Sequence, residues 1–443
     1  MADALTEAYI EARPGSAAIA ARARGLFAAR GATHFARVMA PFRPYIVRAA
    51  GSRKWDVDGH EYLDYVMGHG ALILGHSHPA VVNAIVAQSR LGLHYGDSHP
   101  LEVEWAERIR SLMPAAERIE YFASGQEANQ MGIRLARVAT GRTRLLRFKY
   151  NYHGWSDELA APGTPGALAD QVTVIPSDDP AALERELATR EYAVVLMEGG
   201  GSRLSGRVPV SPDFFRAVPP MAERYGTVVL LDEVVSGFRE AVGGWQSVVR
   251  IRPDLTSIGK AVSGGMAAGA LLGRADLMAA LSPDAPPGRG VAHGGTWNAV
   301  PITCAAGIAA CDLYLDGAPQ RAAAEAGQAL RRTANEVFRR RGLPARLYGR
   351  SVCHVYLGEV DRESDDAPPV KEFARLVDPS AVSRYQRLEL HLLTRGIATT
   401  RGEAFTLSAA HTSADIAETA EALAGSVGAM VDEGSLTSAA AAS

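Results

Sequence analysis

The chain has 443 residues, with 46 lysines and arginines against 49 aspartates and glutamates, a net charge of −3, and 47% hydrophobic and 21% charged content. That length buries a large core and divides into two or three domains, while the balanced charge excludes a nucleic-acid or anionic-membrane partner. No apolar run approaches the roughly 18 residues of a membrane helix, the N-terminus lacks the basic and apolar regions of a signal peptide, and Cys304, Cys311 and Cys353 have no metal-ligand spacing. The cysteines read as buried thiols of a reducing compartment, so a soluble cytoplasmic protein with no metal site is expected.

In chain order, residues 1 to about 30 are rich in alanine and arginine at helical spacing and form an N-terminal arm. Tyr45 to Tyr65 alternates apolar and polar around Asp58-Gly59 and predicts a small hairpin. From residue 76 onward, short apolar runs alternate with longer amphipathic ones. Arg118–Phe122, Leu145–Phe148, Val172–Ile175, Ala193–Met197, Val228–Leu231 and Ala268–Leu272 read as strands. Their near-continuous apolarity suits strands covered on both faces, hence a mostly parallel sheet in a three-layer α/β/α domain. A helix at Ile302–Tyr314 closes this part. A smaller α/β domain follows, with a long helix (Gln320–Arg341), strands near Val352–Leu357 and Ile397–Thr399, and a final helix (Thr412–Val431). The predicted division is 1–75 (arm and small-domain segment), 76–315 (large domain) and 316–443 (C-terminal small domain). The tail from Gly434 onward is low in complexity and is expected to fray.

Ligands of open α/β sheets gather beyond the C-terminal strand ends, so residues just after the apolar runs carry the chemistry. Val228-Val229-Leu230-Leu231 ends in Asp232-Glu233, and the next strand-like stretch closes on Gly259-Lys260 ahead of Ser263-Gly264-Gly265. A carboxylate at one strand end and a lysine at the next is what pyridoxal phosphate requires. The lysine forms a Schiff base and shuttles protons, and the anion keeps the pyridine nitrogen protonated. Because Lys260 precedes the glycines, the segment is not a nucleotide P-loop. Ser124-Gly125-Gln126 opens a helix, which makes it either a phosphate seat or an ordinary N-cap. Glu198 ends the strand before Asp232 and is a candidate for orienting polar groups around the ring. Val234 is a candidate apolar contact to the ring face.

The chain resembles the class III, fold type I pyridoxal-phosphate aminotransferases, in the branch that includes the glutamate-1-semialdehyde aminomutases. The resemblance rests on Trp55-Asp56-Val57-Asp58-Gly59, Gly75-His76-Ser77-His78-Pro79, Ser124-Gly125-Gln126-Glu127-Ala128, Tyr152-His153-Gly154, Asp232-Glu233-Val234 with Gly237-Phe238-Arg239, Gly259-Lys260 and Gly295-Thr296-Trp297. It implies an aminotransferase moving an amino group between an amine or amino-acid donor and a keto acceptor, with an intramolecular aminomutase as the alternative. It also implies that Tyr152 stacks on the cofactor ring, opposite Val234. Thr296 would bind the phosphate of the partner's cofactor, giving a homodimer with shared sites. Arg37 falls where this branch has a carboxylate-binding arginine, Arg401 is a second candidate clamp, and Glu403 matches a glutamate near the site. His153 is either a substrate contact or a structural hydrogen-bonder. Gln126 stands in place of the usual threonine. Glu198-Gly199-Gly200-Gly201 replaces the Glu-Pro of many members, removing the second glutamate by which ornithine- and GABA-type enzymes gate an arginine. The substrate stays open among β-amino acids, ω-amines, amino sugars and semialdehydes.

Overall fold

The computed structural model describes residues 3–113, 115–160, 163–203, 206–362 and 364–437; the tail from Ser438 lies outside them. The strands, in chain order, are β1 (Ile46–Ala50), β2 (Arg53–Asp56), β3 (Glu61–Asp64), β4 (Arg118–Phe122), β5 (Arg144–Phe148), β6 (Val172–Ile175), β7 (Tyr192–Glu198), β8 (Val228–Glu233), β9 (Leu255–Gly259), β10 (Gly269–Gly273), β11 (Ala345–Gly349), β12 (Val352–Leu357), β13 (Ile397–Ala398) and β14 (Ala404–Thr406). Two compact units form: one of Met1–His69, Ile73–His78 and Ala322–Ser443, the other of Gly70–Leu72 and Pro79–Arg321.

The second unit is built on a seven-stranded sheet in the order β4-β10-β9-β8-β7-β5-β6. Strands β6, β5, β7, β8 and β9 run parallel, while β10 is antiparallel to both β9 and β4. Every residue of β7, β8, β9 and β10 is buried, because alternate side chains enter different cores. Val194, Leu196 and Leu230 pack on one face with Ala128, Ile133 and Leu135 of the helix Gly125–Thr140. Val195, Met197, Val229 and Leu231 pack on the other with Phe214, Phe215 and Val218 of the helix Pro212–Arg224. This is the expected three-layer architecture.

In the first unit, β1, β2 and β3 form an antiparallel meander, with β13 added parallel to β3. The single predicted hairpin is therefore two. The extra turn falls at Gly51-Ser52, where Gly51 takes a φ of 56°, a conformation that suits glycine. The Asp58-Gly59 turn is held by Asp56 Oδ1, which accepts the N–H groups of Asp58 and His60. A second sheet, β11-β12-β14, is antiparallel. The final helix, Ser413–Asp432, starts in a capping box in which Thr412 and Asp415 bond each other's backbone. All three cysteines are buried thiols. Among the described residues no helix is long and apolar enough to cross a membrane.

Candidate active site

The parallel register of β8 and β9 sets Asp232 opposite Ser257. Lys260 follows directly on the last residue of β9, so both chemistry-bearing side chains stand at the C-terminal edge of adjacent strands. Lys260 has a φ of 47°. Holding a lysine in the left-handed region costs on the order of 1–3 kcal/mol and persists only where the surroundings enforce it. Burial pushes the Lys260 ammonium below its ordinary pKa; Asp232 and Glu198 pull it back as charges, and Arg239 adds to the depression.

Asp232 is buried and meets three donors. Its Oδ2 accepts from Asn129 Nδ2 at 2.7 Å and faces His153 Nδ1 at 2.8 Å, and its Oδ1 accepts the Val234 N–H at 3.0 Å. His153 is buried, and the loss of water lowers its pKa against the pull of Asp232. A neutral imidazole therefore donates from Nδ1. Its Nε2 is buried and, among the described residues, has no partner.

Ser124 caps the helix Gly125–Thr140, its Oγ accepting from Glu127 N at 3.3 Å and its carbonyl from Ala128 N. The N–H groups of Gly125 and Gln126 are those a helix leaves without an intrahelical acceptor. Gly125 is required here, since a Cβ would meet Val234 Cγ2 at 2.3 Å. The Gln126 side chain turns away to the next loop, where its Oε1 accepts the Trp155 N–H at 2.7 Å.

Tyr152 is 50% exposed. Its N–H donates to Glu198 Oε2 at 2.8 Å, and the same oxygen accepts from Arg203 N at 2.8 Å. Glu198 thus ties the Tyr152 loop to the glycine-rich turn that follows β7. Thr296 lies on an exposed loop, its carbonyl 2.5 Å from His94 Nε2.

Nine expected residues are brought together in this unit: Ser124, Gly125, Gln126, Tyr152, His153, Glu198, Asp232, Val234 and Lys260. Arg37, Arg401 and Glu403 belong to the other unit. There Arg37 is exposed, with Nη1 3.4 Å from Thr33 Oγ1. It lines a cavity of about 480 Å³ whose walls include Met39, Phe42, Arg43 and Tyr45. Arg401 sits at a φ of 57° in a tight turn, where its charge, together with that of Arg43, opposes the upward shift that burial imposes on Glu389. Glu403 closes the turn, its N–H donating to the Thr400 carbonyl.

Three residues without a sequence motif complete the arrangement. Asn129 and Ser257 back Asp232. Arg147 is buried in β5 and donates to the carbonyls of Asn151, Leu159 and Ala160, which fixes the loop carrying Tyr152 and His153. The available signal was polarity inside otherwise apolar segments, such as Ser257 within Leu255–Gly259.

These residues fit a phosphorylated pyridine aldehyde. The helix end offers N–H donors to a phosphate, Lys260 offers an amine whose charged form is disfavoured, and Asp232 offers a carboxylate whose Oδ1 accepts one bond among the described residues, from the Val234 N–H. The buried Nε2 of His153, which has no partner among the described residues, marks unused polar capacity.

Comparison with known proteins gives a consistent picture. Residues 35–341 match the family model described as aminotransferase class-III. The glutamate-1-semialdehyde 2,1-aminomutase of Sulfurihydrogenibium azorense is 33% identical over 85% of this chain and 90% of its own. That of Thermus thermophilus is 34% identical over 86% and 91%. Among solved structures, a β-phenylalanine aminotransferase from Variovorax paradoxus superimposes with a TM-score of 0.85 at 30% identity, covering 97% of each chain. An omega-transaminase from Sphaerobacter thermophilus gives 0.85 at 31%, covering 95% of this chain and 99% of its own.

Proposed function

The chain belongs to the class III aminotransferases, enzymes of fold type I that use pyridoxal phosphate, and from that premise we propose that Lys260 and Asp232 carry its transamination chemistry. When bound, the cofactor supplies a protonated ring that withdraws electrons from the amine-bearing carbon of the donor. Lys260 anchors it and then moves the proton at that carbon. Asp232 holds the ring nitrogen in its protonated form. Gly125 and Gln126 seat the phosphate with their backbone N–H groups, Tyr152 and Val234 flank the ring, and Glu198 fixes the Tyr152 loop.

The observation that carries this reading is the pair of strand ends. A lysine in a strained backbone conformation, its ammonium disfavoured by burial, directly follows β9, and the buried carboxylate of Asp232 stands next to last in the adjacent strand β8. Substrates are a small amine or amino acid and a keto acceptor. A guanidinium fork matches a carboxylate, and Arg37 and Arg401 are the residues assigned to it; Glu403 and His153 are the other candidates for substrate contact. Thr296 reaches the phosphate of a second subunit's cofactor, so the working unit is a homodimer. Its buried thiols agree with a cytoplasmic setting.

A second reading, an aminomutase that moves the amine within one molecule, is favoured by the names of the curated relatives. Exposing the holoenzyme to single donors without an acceptor separates the two. An aminotransferase releases one carbonyl product per site and keeps the amine on the cofactor. A mutase converts glutamate 1-semialdehyde to its isomer without net carbonyl release. A protein that does neither, over a panel of β-amino acids, ω-amines, amino sugars and semialdehydes, refutes both.

A further inference from the structure

Behind Asp232 lies a chain of hydrogen bonds with a fixed direction. Ser257 Oγ is 2.6 Å from Asn129 Oδ1, and Asn129 Nδ2 is 2.7 Å from Asp232 Oδ2 and 3.1 Å from the His153 carbonyl. A carbonyl only accepts, so the Asn129 atom facing His153 must be its NH₂ group, and the same group faces Asp232. The amide oxygen then points at Ser257, whose hydroxyl hydrogen is committed to it. Asn129 is 1% exposed and Ser257 0%, so no water competes for these bonds. Each buried donor or acceptor left unmatched here would carry the full cost of its lost hydration.

Ser257 stands opposite Asp232 in the β8–β9 register, and Asn129 lies on the first turns of the helix that Ser124 caps. One amide therefore ties together three parts of the site: the carboxylate, the loop of Tyr152 and His153, and the helix whose end seats the phosphate.

We propose that Asn129 and Ser257 are positioning residues for the reaction. Ser257 fixes the amide plane of Asn129, and Asn129 fixes both the rotation of the Asp232 carboxylate and the height of the Tyr152–His153 loop. This rests on the role given above to Asp232. The proposal adds that rotation of this carboxylate is set from β9 and the helix, by a serine and an amide that touch neither cofactor nor substrate.

Three variants test it: Ser257→Ala, Asn129→Ala and Asp232→Asn. The first readout needs no cofactor. In apo-protein with ¹⁵N-labelled histidine, the His153 resonances, assigned through His153→Gln, report whether Nδ1–H still points at a fixed carboxylate. Both positioning variants should shift them. In the holoenzyme, kcat should fall about 10- to 100-fold, the range for partners that orient a functional group, while the donor KM changes by no more than about 2-fold. Cofactor should also dissociate faster. Wild-type His153 resonances and a wild-type kcat in Ser257→Ala overturn the proposal, and this milder variant decides alone if Asn129→Ala fails to fold. If Asp232→Asn also turns over at the wild-type rate, the reading of Asp232 is what has failed. If Asp232→Asn is crippled and Ser257→Ala is not, only the positioning claim falls.

Discussion

His153 Nδ1 lies 2.8 Å from Asp232 Oδ2 with both side chains buried, so the imidazole is oriented by the carboxylate proposed to face the ring. A neutral histidine in this position donates to Asp232 without cancelling its charge. The charge is what the ring nitrogen needs. Asp232→Asn keeps nearly the same shape and removes the charge, so the fold should persist while the donor half-reaction slows about 10²- to 10³-fold, or roughly 3–4 kcal/mol. Single-turnover kinetics beside a thermal melt check this; a rate within a few-fold of wild type would remove Asp232 from the ring.

Lys260→Ala should abolish turnover and leave a folded protein that still takes up cofactor loosely, since the Ser124-led helix end and Asp232 are untouched. The strained φ of Lys260 points the same way. Alanine at that position no longer justifies the strain, yet it adds none. Borohydride reduction of wild-type holoenzyme followed by peptide mapping should place the pyridoxyl label on Lys260. A label on another lysine ends the assignment.

Gly269 on β10 tests the phosphate seat from behind. A Cβ there would lie 2.2 Å from the Ser124 carbonyl oxygen and 2.7 Å from Gly125 N. Backbone cannot yield as a flexible side chain does, so Gly269→Ala should cost about 1–3 kcal/mol of stability. It should also loosen cofactor, because the displaced residues open the helix. Cofactor release followed by absorbance, with the urea midpoint, reads both effects. Unchanged retention in a destabilised variant would show that this helix end does not hold the phosphate.

In the first unit, burial depresses the pKa of His411 to about 4, and its Nδ1 accepts the Ser408 N–H at 3.0 Å. The folded state thus holds a neutral ring, while the unfolded chain binds a proton near pH 6.5. Stability from this residue is complete above about pH 6.5 and is lost as pH falls toward 4, at up to about 1.4 kcal/mol per pH unit. His411→Asn keeps an acceptor for Ser408 and cannot titrate. Urea midpoints at pH 7.5 and 5 should show a smaller acid loss in the variant; equal losses would place the titration elsewhere.

The strands of the large sheet were legible because burial on both faces leaves uninterrupted apolar runs such as Ala193–Met197. The strand-end residues were legible because their chemistry is abrupt. Less visible were elements whose signal is mixed. The helix Pro212–Arg224 carries Pro219 and Pro220 inside it, which sequence reasoning takes as breakers. It persists because Phe214, Phe215, Val218 and Ala222 pack against the sheet. Glu233 is adjacent to Asp232 in sequence, yet it accepts the N–H groups of Trp245 and Gln246. Asn129, Ser257 and Arg147 carry no motif because their work depends on tertiary neighbours far along the chain. The Gln126 side-chain oxygen accepts the Trp155 N–H, a contact no sequence pattern announces, and its backbone N–H stands at the helix end.

Thr296 is exposed on a loop beside Trp297, which is 64% exposed, so the Thr296 hydroxyl is open to a second subunit. If Thr296 serves the neighbour's phosphate, two crippled variants should complement. In a heterodimer of Lys260→Ala with Thr296→Val, one site draws its lysine and its threonine from the intact positions of different chains. The other site carries both lesions. An equal mixture allowed to exchange subunits forms heterodimers in about half its dimers, so about one quarter of all sites should be intact. Activity should rise toward that fraction, well above either parent alone. If Thr296 served its own chain, every site would keep one lesion and mixing would restore nothing. That result, with heterodimers confirmed by mass and Thr296→Val itself impaired, would return Thr296 to a local role in its loop.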